Sequence, residues 1–321
     1  MKTNCLCILA AAAWALAGTL PVQAGPLVRS DVPAEPSWVL HVDCDQLRNT
    51  AIGQFLLAEM NKPEVQAKFA AFETIFSFDP RTALRGLTLY STGTAPEDGV
   101  LLVYADINAS RLETLVKAAK DYQSTPYKQH VIHNWIDEKK KKGPDGSQPR
   151  VYAAIHGGRV VIFGQRQARV AGALDVLDKA APSLGVSAAF PQLGASDNAS
   201  FIQGLARKVD LPPSDPNAAL FRLTRQTLLQ VSEAQRQLNA TLTLDARDEE
   251  VAAQMVTVAQ GLVALMKLQT DKPESVKLAE ATTIRQEGAS VVGRLNLSVD
   301  EVVAMLKAGA ARAAAQKASE P

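Results

Sequence analysis

Strand-like runs in this chain occur in adjacent pairs, and a run with helical periodicity follows each pair. The clearest pair is formed by residues 151–155 and 160–163, which flank Gly157-Gly158. Two successive glycines suit the positive φ angles of a two-residue hairpin turn. The residues that follow, 165–181, place apolar side chains three or four positions apart, which is typical of one helical face. Residues 151–181 are therefore predicted to form a hairpin and then a helix.

Three further units repeat this order of hairpin and helix. Their predicted hairpins pair residues 87–90 with 100–104, 228–231 with 238–244, and 283–285 with 290–297. The four helical runs carry these apolar residues on one face: Leu112, Leu115, Val116 and Ala119; Val170, Leu174, Leu177 and Ala181; Val251, Met255, Val258, Leu262 and Leu265; Val302 and Leu306. Because a hairpin pairs its strands antiparallel, this order disfavours a doubly wound parallel sheet.

Capping residues mark where some of these helices begin. Asn108 stands directly before the first helical run and is a favoured N-cap residue. Ser298 and Glu301 form a capping box, in which each side chain can accept from a free backbone N–H of the other residue. Ahead of the first hairpin, a strand is expected over residues 38–43 and helices near 50–60 and 63–77, with Pro63 at a favoured first-turn position.

The repeated units predict an α+β fold with two domains of antiparallel sheet, built from hairpin-then-helix units with the helices mainly on one face. Residues 182–198 and 210–217 are rich in Pro, Gly, Ser, Asp and Asn, which indicates a boundary between the halves,. The expected organisation is a signal peptide over 1–24, an N-terminal linker over 25–36, a first domain over 37–182, a linker over 183–198, a second domain over 199–310 and a frayed tail over 311–321.

The first 24 residues have the features of a cleavable signal peptide. Lys2 is followed by an apolar stretch over residues 5–20, and Val22-Gln23-Ala24 forms a small-x-small cleavage site before Gly25,. An uncleaved anchor is the alternative, but an anchor needs about 20 apolar residues and polar stop signals beyond them. We therefore expect an exported protein, periplasmic or secreted, that does not insert stably into a membrane after cleavage.

Charge and cysteine content argue against a nucleic-acid-binding protein and against a protein stabilised by disulfides. Loss of the leader removes Lys2 and leaves 33 basic and 33 acidic residues, so no net field would attract nucleic acid. Cys5 and Cys7 leave with the leader, and the remaining Cys44 cannot form an internal disulfide,. Cys44 is expected to be a buried, reduced thiol on an apolar strand face and a poor nucleophile.

Several segments resemble a family of exported proteins from Gram-negative bacteria. The first segments that carry the resemblance are Ser37-Trp38-Val39-Leu40-His41-Val42-Asp43, Leu47-Arg48-Asn49-Thr50 and Phe78-Asp79-Pro80. The later ones are Ala240-Thr241-Leu242-Thr243-Leu244, Asp248-Glu249-Glu250 and Gly261-Leu262-Val263-Ala264-Leu265. The resemblance covers most of the mature chain and implies export. It assigns no activity, and no catalytic residue is carried over from it.

His41, Asp43 and Asp45 are the candidate metal ligands. Strand alternation places these three on one face and Trp38, Leu40, Val42 and Cys44 on the other,. Imidazole and carboxylate groups two residues apart can bind zinc or another divalent ion if the fold supplies further ligands. The alternative is that Asp43 and Asp45 cap the following turn while His41 lies at the sheet surface.

The other histidines are weaker candidates. His130 and His133 would share a face on a helix, but their segment has the composition of a strand, which sends the two rings to opposite faces,. A metal shared by these two is therefore not expected. His156 stands beside Gly157 and is interpreted as a residue at the end of the hairpin.

An aromatic cluster and a basic run have two interpretations each. Phe69, Phe72 and Phe76 fall on one side of the helix that begins at Pro63, and they form either a pocket for an apolar ligand or ordinary core,. Residues 139–142 are four successive lysines, which could suggest a nucleic-acid patch. Acidic residues before them and turn-forming residues after them favour a solvated loop between strands.

The sequence contains none of the common catalytic signatures. It lacks a Gly-x-Ser-x-Gly elbow, Ser-x-x-Lys, His-Glu-x-x-His, a phosphate-binding loop, a dinucleotide-binding glycine motif and Cys-x-x-Cys,. The function expected is therefore a non-catalytic binding or interaction module for an envelope partner, an extracellular partner or a small ligand, without a cofactor. The alternative is an envelope enzyme, such as a metal-assisted hydrolase centred on His41, Asp43 and Asp45.

Overall fold

A computed structural model describes residues 25–93, 95–142, 146–187, 190–194, 200–207, 218–269 and 272–319. The expected signal peptide, residues 1–24, lies outside these described residues. Parts of the expected linker between the halves, including residues 195–199, lie outside them as well.

The described residues form twelve strands in one sheet, in which every neighbouring pair is antiparallel. The strands are β1 (Trp38–Asp43), β2 (Leu84–Ser91), β3 (Gly99–Ala105), β4 (Gln123–Tyr127), β5 (His130–Ile136), β6 (Arg150–His156), β7 (Val160–Gly164), β8 (Ser200–Ala206), β9 (Thr224–Ala234), β10 (Gln237–Ala246), β11 (Thr282–Glu287) and β12 (Ser290–Ser298). Their order across the sheet is β11-β12-β10-β9-β8-β1-β2-β3-β7-β6-β5-β4.

The described part of the chain also contains ten α-helices. They are α1 (Cys44–Asn49), α2 (Ala51–Met60), α3 (Pro63–Phe76), α4 (Pro80–Ala83), α5 (Ala109–Val116), α6 (Gln167–Leu177), α7 (Ala218–Arg222), α8 (Glu249–Lys267), α9 (Pro273–Glu280) and α10 (Val299–Ser319). None of the helices in the described ranges is long and apolar enough to cross a membrane. The mixed α and β composition and the antiparallel sheet confirm the coarse fold class.

The four predicted hairpins and the predicted caps are present. Gly157 and Gly158, between β6 and β7, have φ angles of 56° and 68°, which L-residues with a side chain adopt at a cost. The Asn108 side chain accepts a hydrogen bond of 3.0 Å from Arg111 N and caps α5. In the capping box, the N–H of Ser298 donates to Glu301 over 3.1 Å, and the N–H of Glu301 donates to Ser298 Oγ over 3.3 Å.

One central strand joins the two halves of the chain. β1 pairs with β2 on one side and with β8 on the other, so strands from both halves belong to the same sheet. The expectation of two domains is therefore not confirmed. Buried apolar side chains nevertheless form two separate clusters: a large one that includes Leu102, Ile162 and Leu174, and a smaller one around Leu244 and Met255.

Helices lie on both faces of the sheet, so the expectation of helices mainly on one face is not confirmed either. Leu174 of α6 packs in the cluster that contains Ile162 of β7. Leu115 of α5 lies with Val161 and Phe163 of the same strand around a pocket. Because successive residues of a strand point to opposite faces, α6 and α5 cover opposite sides of the sheet.

A row of directly paired residues places α8 on the same face as α5. The row runs across all twelve strands through Ile284, Gly293, Leu242, Leu229, Gly204, Leu40, Leu89, Leu101, Phe163, Ala153, His133 and Ser124. Directly paired residues share a face. Leu242 lies beside Ala259 of α8, whereas Phe163 lies beside α5, so the two helices cover opposite ends of one face.

Segments outside the strands complete the large cluster. Leu27 and Val32, from the expected N-terminal linker, are buried, as is Leu184 from the expected inter-domain linker. The Arg29 guanidinium donates to the carbonyl oxygens of Leu184 and Leu193, each over 3.0 Å, and also to that of Phe190. This cation therefore ties the two linker segments together over the sheet. At the other end of the chain, α10 continues to Ser319, through much of the segment expected to fray.

Candidate functional site: an apolar pocket beneath α5

An apolar cavity lies between α5 and the outer surface of β5, β6 and β7. It has a volume of about 400 Å³. Of its fourteen described lining residues, twelve are apolar: Ile75, Phe76, Leu112, Leu115, Val116, Ala119, Trp135, Ala153, Ala154, Ile155, Val161 and Phe163. Glu113 and His133 are the two polar ones. A volume and a lining of this kind are typical of small-molecule binding sites.

Local sequence explains why α5 forms the roof of this pocket. Its N-cap at Asn108 fixes the first turn, and its apolar positions at Leu112, Leu115 and Val116 then point at the sheet. None of the α5 side chains is fully buried. A short helix that covers a wide apolar strand surface without packing tightly against it leaves space beneath, and this space is the cavity.

The end of α3 borders the pocket. Ile75, whose exposed fraction is 47%, and Phe76 belong to the lining. The Arg111 guanidinium of α5 donates to the Ile75 carbonyl oxygen over 3.1 Å, which ties the end of α3 to α5. Ser77 then terminates α3 in the left-handed conformation, with a φ angle of 60°. The exposed Ile75 side chain therefore marks the edge where the pocket meets solvent.

His133 is the main polar group of the pocket. Its Nδ1 forms a hydrogen bond of 2.9 Å with the Tyr122 hydroxyl, and the two rings stack with centroids 5.9 Å apart. Burial lowers the pKa of His133 below its ordinary value, against the smaller opposing effect of Glu113. The ring is therefore neutral near pH 7, so the pocket offers hydrogen bonding at one point rather than a cationic charge.

The predicted phenylalanine cluster contributes to the pocket through Phe76. Phe72 stacks on Phe76 with ring centroids 4.3 Å apart, and it is not part of the lining. The guanidinium carbon of Arg81 lies over the Phe69 ring, 5.0 Å from its centroid. Phe69 is not part of the described lining. Most of the lining comes instead from α5 and from β5, β6 and β7. The sequence pattern predicted a helix and strands here, but it did not predict a pocket between them.

The proposed ligand group of His41, Asp43 and Asp45 does not converge. His41 is 2% exposed, with Nδ1 in a 2.9 Å hydrogen bond with Thr88 Oγ1, while Nε2 donates to the Gly25 carbonyl oxygen over 3.0 Å. Asp43 caps α1 by accepting from Gln46 N over 2.8 Å. Asp45 lies within α1 and pairs with Arg48 and Arg85.

The expected placement of this segment on the sheet requires a correction. β1 ends at Asp43, so Cys44 and Asp45 begin α1 instead of continuing the strand alternation. The face with His41 and Asp43 is the buried one, whereas Leu40 on the other face is 36% exposed. The expectation that His41 lies at the sheet surface is therefore wrong. The reason is that the large apolar cluster packs on the strand face that carries His41. Hydrogen bonds with Thr88 and Gly25 there compensate for the burial of the imidazole.

Another group of side chains does converge, on the opposite side of the sheet from the pocket. Among the described residues, His130, His156 and Asp178 are the one set of His, Cys, Asp or Glu side chains with three possible ligand atoms all within 4.8 Å of one another. His130 Nε2 lies 2.8 Å from Asp178 Oδ2, and His156 Nε2 lies 3.0 Å from Asp178 Oδ1. As expected, His130 and His133 point to opposite faces of their strand.

The sequence alone does not reveal this cluster, because strand register and the end of a helix bring its residues together. His130 begins β5 and His156 ends β6, two antiparallel neighbours, and Asp178 is the C-cap residue of α6. The register that pairs His133 with Ala153 brings His130 and His156 opposite each other. The long connection between β5 and β6 hides that register in the sequence, although the presence of two histidines at the ends of successive predicted strands was the available signal.

The basic run lies where the solvated-loop interpretation expected it. Residues 139–142 follow β5 and are exposed, and Lys140 Nζ donates to Gln165 Oε1 over 2.7 Å. Residues 143–145, which follow the run, lie outside the described residues.

Cys44 is 9% exposed, and burial raises the pKa of its thiol to about 11.

No protein-family profile matches this chain, and no curated protein matches its sequence. Solved structures similar to it include crystal form III of TP0453, with a TM-score of 0.49 and 10% identity over 89% of this chain and 99% of that chain. Crystal form I of TP0453 has a TM-score of 0.46 and 9% identity over 87% of this chain and 96% of that chain. Likeness at these values carries no function over to this chain.

Proposed function

We propose that this protein is an exported, non-catalytic binding protein that holds a small apolar ligand in the pocket beneath α5. The observation that carries the proposal is the pocket itself, whose lining is apolar at twelve of fourteen described positions. Burying an apolar molecule against such a surface stabilises the complex by about 25 cal/mol for each Å² removed from water.

The two polar lining residues restrict the class of ligand. His133 is neutral and bonded to Tyr122, and Glu113 stands one helical position after Leu112. A ligand with an extended or fused apolar body and one hydrogen-bonding group fits this distribution better than a polar metabolite. A strongly anionic head would have to lie outside the pocket, because Glu113 carries the same charge.

A binding role is favoured over catalysis by the kinds of side chains present. The described lining contains no Ser, Thr, Cys, Lys or Tyr that could act as a nucleophile. A general acid or base works best with a pKa near the working pH, and burial lowers the pKa of His133 below its ordinary value.

Export is part of the proposal and is supported by the sequence. The Val22-Gln23-Ala24 cleavage motif predicts a mature chain that begins at Gly25,. The equal numbers of basic and acidic residues in that chain support a small-molecule partner rather than nucleic acid. N-terminal sequencing of the protein recovered from its native envelope would test export directly: Gly25 is the expected first residue, and an intact Met1 would contradict it.

The two halves are proposed to have different roles within the shared sheet. All described residues that line the pocket lie between Ile75 and Phe163, in the first half of the chain. The smaller cluster around Leu244 and Met255 belongs to the second half. The first half is therefore proposed as the ligand-binding unit and the second as a separately packed unit that extends its sheet.

Trp135 provides a direct test of ligand binding. From residue 25 onward the chain contains two tryptophans, Trp38 and Trp135, and only Trp135 lines the pocket. In a Trp38→Phe variant, titration with N-phenyl-1-naphthylamine, an uncharged apolar dye, should change Trp135 emission in a saturable manner. A long-chain fatty alcohol should then displace the dye. The matched Trp135→Phe variant, which keeps Trp38, should show no such change in tryptophan emission.

A further inference from the structure

Three side chains from separate elements meet near the end of the β6–β7 hairpin. His130 comes from β5, His156 from β6 and Asp178 from the C-terminus of α6. Their side chains are largely shielded, with exposed fractions of 12%, 24% and 14%. The centroids of the two imidazole rings lie 5.5 Å apart, with an interplanar angle of 39°. Both rings present Nε2 to the Asp178 carboxylate.

The atoms in this cluster are those that transition metals prefer. Two imidazole nitrogens and one carboxylate oxygen form a common ligand set for zinc and its neighbours in the first transition row. In a tetrahedral zinc site two ligand atoms lie roughly 3.4 Å apart, so the present 2.8 and 3.0 Å separations between nitrogen and oxygen would have to lengthen by roughly 0.5 Å. Small side-chain rotations supply such a displacement.

We propose that His130, His156 and Asp178 form a binding site for a divalent transition-metal ion, with zinc as the ion that fits best. The two Nε2 atoms and one Asp178 oxygen would be the protein ligands. In the present arrangement each Nε2–H donates to Asp178. Metal binding therefore requires each ring to give up the proton on Nε2 and to carry its remaining proton on Nδ1, which frees the Nε2 lone pair for the ion.

Groups around the three ligands hold the carboxylate in place. Gln129 Nε2 donates to Asp178 Oδ2 over 2.7 Å. One turn earlier in α6, Asp175 accepts from Tyr127 and Lys128, over 2.9 and 2.6 Å, so the Lys128 charge is paired with a different carboxylate. Outer partners that orient metal ligands in this way strengthen binding.

A cavity adjoins the proposed site at one of its ligands, His156. His156 lines this cavity of about 280 Å³ together with Asp31, Tyr104 and Arg159. Tyr104 donates to Asp31 across this cavity over 3.1 Å. An ion with three protein ligands keeps at least one coordination position for water or another small ligand, and the cavity provides the space beside His156.

Equilibrium dialysis against zinc chloride, followed by elemental analysis, tests the proposal on the purified chain without a polyhistidine tag. The expected result is one zinc ion for each wild-type chain and at least about tenfold weaker binding in Asp178→Asn and in His130→Gln. Asp300→Asn is the control, because it removes an exposed carboxylate that pairs with Arg236 in the other half of the chain. This control should bind zinc as the wild type does.

Cobalt binding to the wild type gives a result that does not depend on the folding of any variant. Co²⁺ bound by two imidazoles and a carboxylate should produce visible d–d absorption that zinc abolishes by competition. Absence of stoichiometric zinc in the wild type, or wild-type affinity in folded Asp178→Asn, would overturn the proposal. Absence of the cobalt bands would overturn it as well.

Discussion

Val161 and Ile162 are consecutive residues of β7 that lie in two different apolar environments. Ile162 is fully buried in the large cluster beneath α6, whereas Val161 lines the pocket beneath α5 on the other face. One face of the strand is therefore closed by tight packing and the other is left with space. This difference between the two faces is the structural basis of the proposed binding function.

Acidification below neutral pH should destabilise the protein through His41. Burial lowers the pKa of His41 below its ordinary 6.5, so in the folded state the ring resists protonation. As the pH falls below 6.5 the unfolded chain binds the extra proton first, and the free energy of unfolding decreases. His133 acts in the same direction. Asp43, whose pKa burial raises, has the opposite effect on stability as its carboxylate takes up a proton.

Urea unfolding of the wild type and of His41→Gln, at pH 7.5 and at pH 5.5, measures this effect. The variant should be less stable at pH 7.5, because it loses the contacts with Thr88 and Gly25, but it should lose less stability on acidification. Equal losses in the two proteins would show that His41 does not contribute to the pH dependence.

Cys44 should remain an inert thiol in the folded protein. With a pKa raised to about 11, only on the order of one thiol in a thousand is ionised at pH 8, and the thiolate is the reactive form. Labelling of the chain from Gly25 onward with iodoacetamide should therefore be slow in buffer and fast in urea. Cys44→Ala should lower the free energy of unfolding by about 1 kcal/mol. Rapid labelling of the native protein, or a disulfide-linked dimer, would contradict this.

Glu233 of β9 should contribute to stability by capping a helix from the other half of the chain. Its two carboxylate oxygens accept from the backbone N–H groups of Ala51 and Ile52, over 2.8 and 3.0 Å, at the start of α2. Glu233→Ala should lower the free energy of unfolding by about 1 kcal/mol. The exposed Glu280 is the control, and Glu280→Ala should change stability little. Equal effects of the two substitutions would rule out the capping role.

The second half of the chain is predicted to fold without the first. The smaller cluster, which includes Leu220, Leu244, Met255 and Val291, is drawn entirely from residues 199–310. That fragment should show cooperative thermal unfolding by circular dichroism. It should be less stable than the whole chain, because β8 loses β1 as a partner and Leu205 loses the large cluster. A fragment without cooperative unfolding would mean that the two halves form one folding unit.

Local signals in the sequence predicted local structure well. Gly157-Gly158, Asn108 and the pair Ser298 and Glu301 each fixed a turn or a helix start through chemistry that acts over a few residues. The junction of the halves was not predictable in the same way, because the pairing of β1 with β8 joins segments about 160 residues apart. Such pairings depend on the packing of the whole sheet.

The candidate site was predictable only in part for a related reason. Helical spacing left two interpretations open for Phe69, Phe72 and Phe76, a ligand pocket or ordinary core, because an apolar helix face has the same pattern whether its partner surface fills the space or leaves a cavity. The face that buries His41 could not be read from β1 either, since both faces of that strand carry residues that can be buried. His130 and Asp178 meet through strand register and a helix end, which no short motif records.

The central claim is that a ligand occupies the pocket beneath α5. Replacing each of two neighbouring alanines by phenylalanine tests it most directly. Ala119 lines the pocket, whereas its neighbour Ala118 is exposed and does not. Ala119→Phe should fill the cavity and weaken N-phenyl-1-naphthylamine binding by about tenfold or more, a loss of about 1.4 kcal/mol. Ala118→Phe should bind the dye as the wild type does. Equal binding by both variants, or no saturable binding by the wild type, would contradict the proposed function.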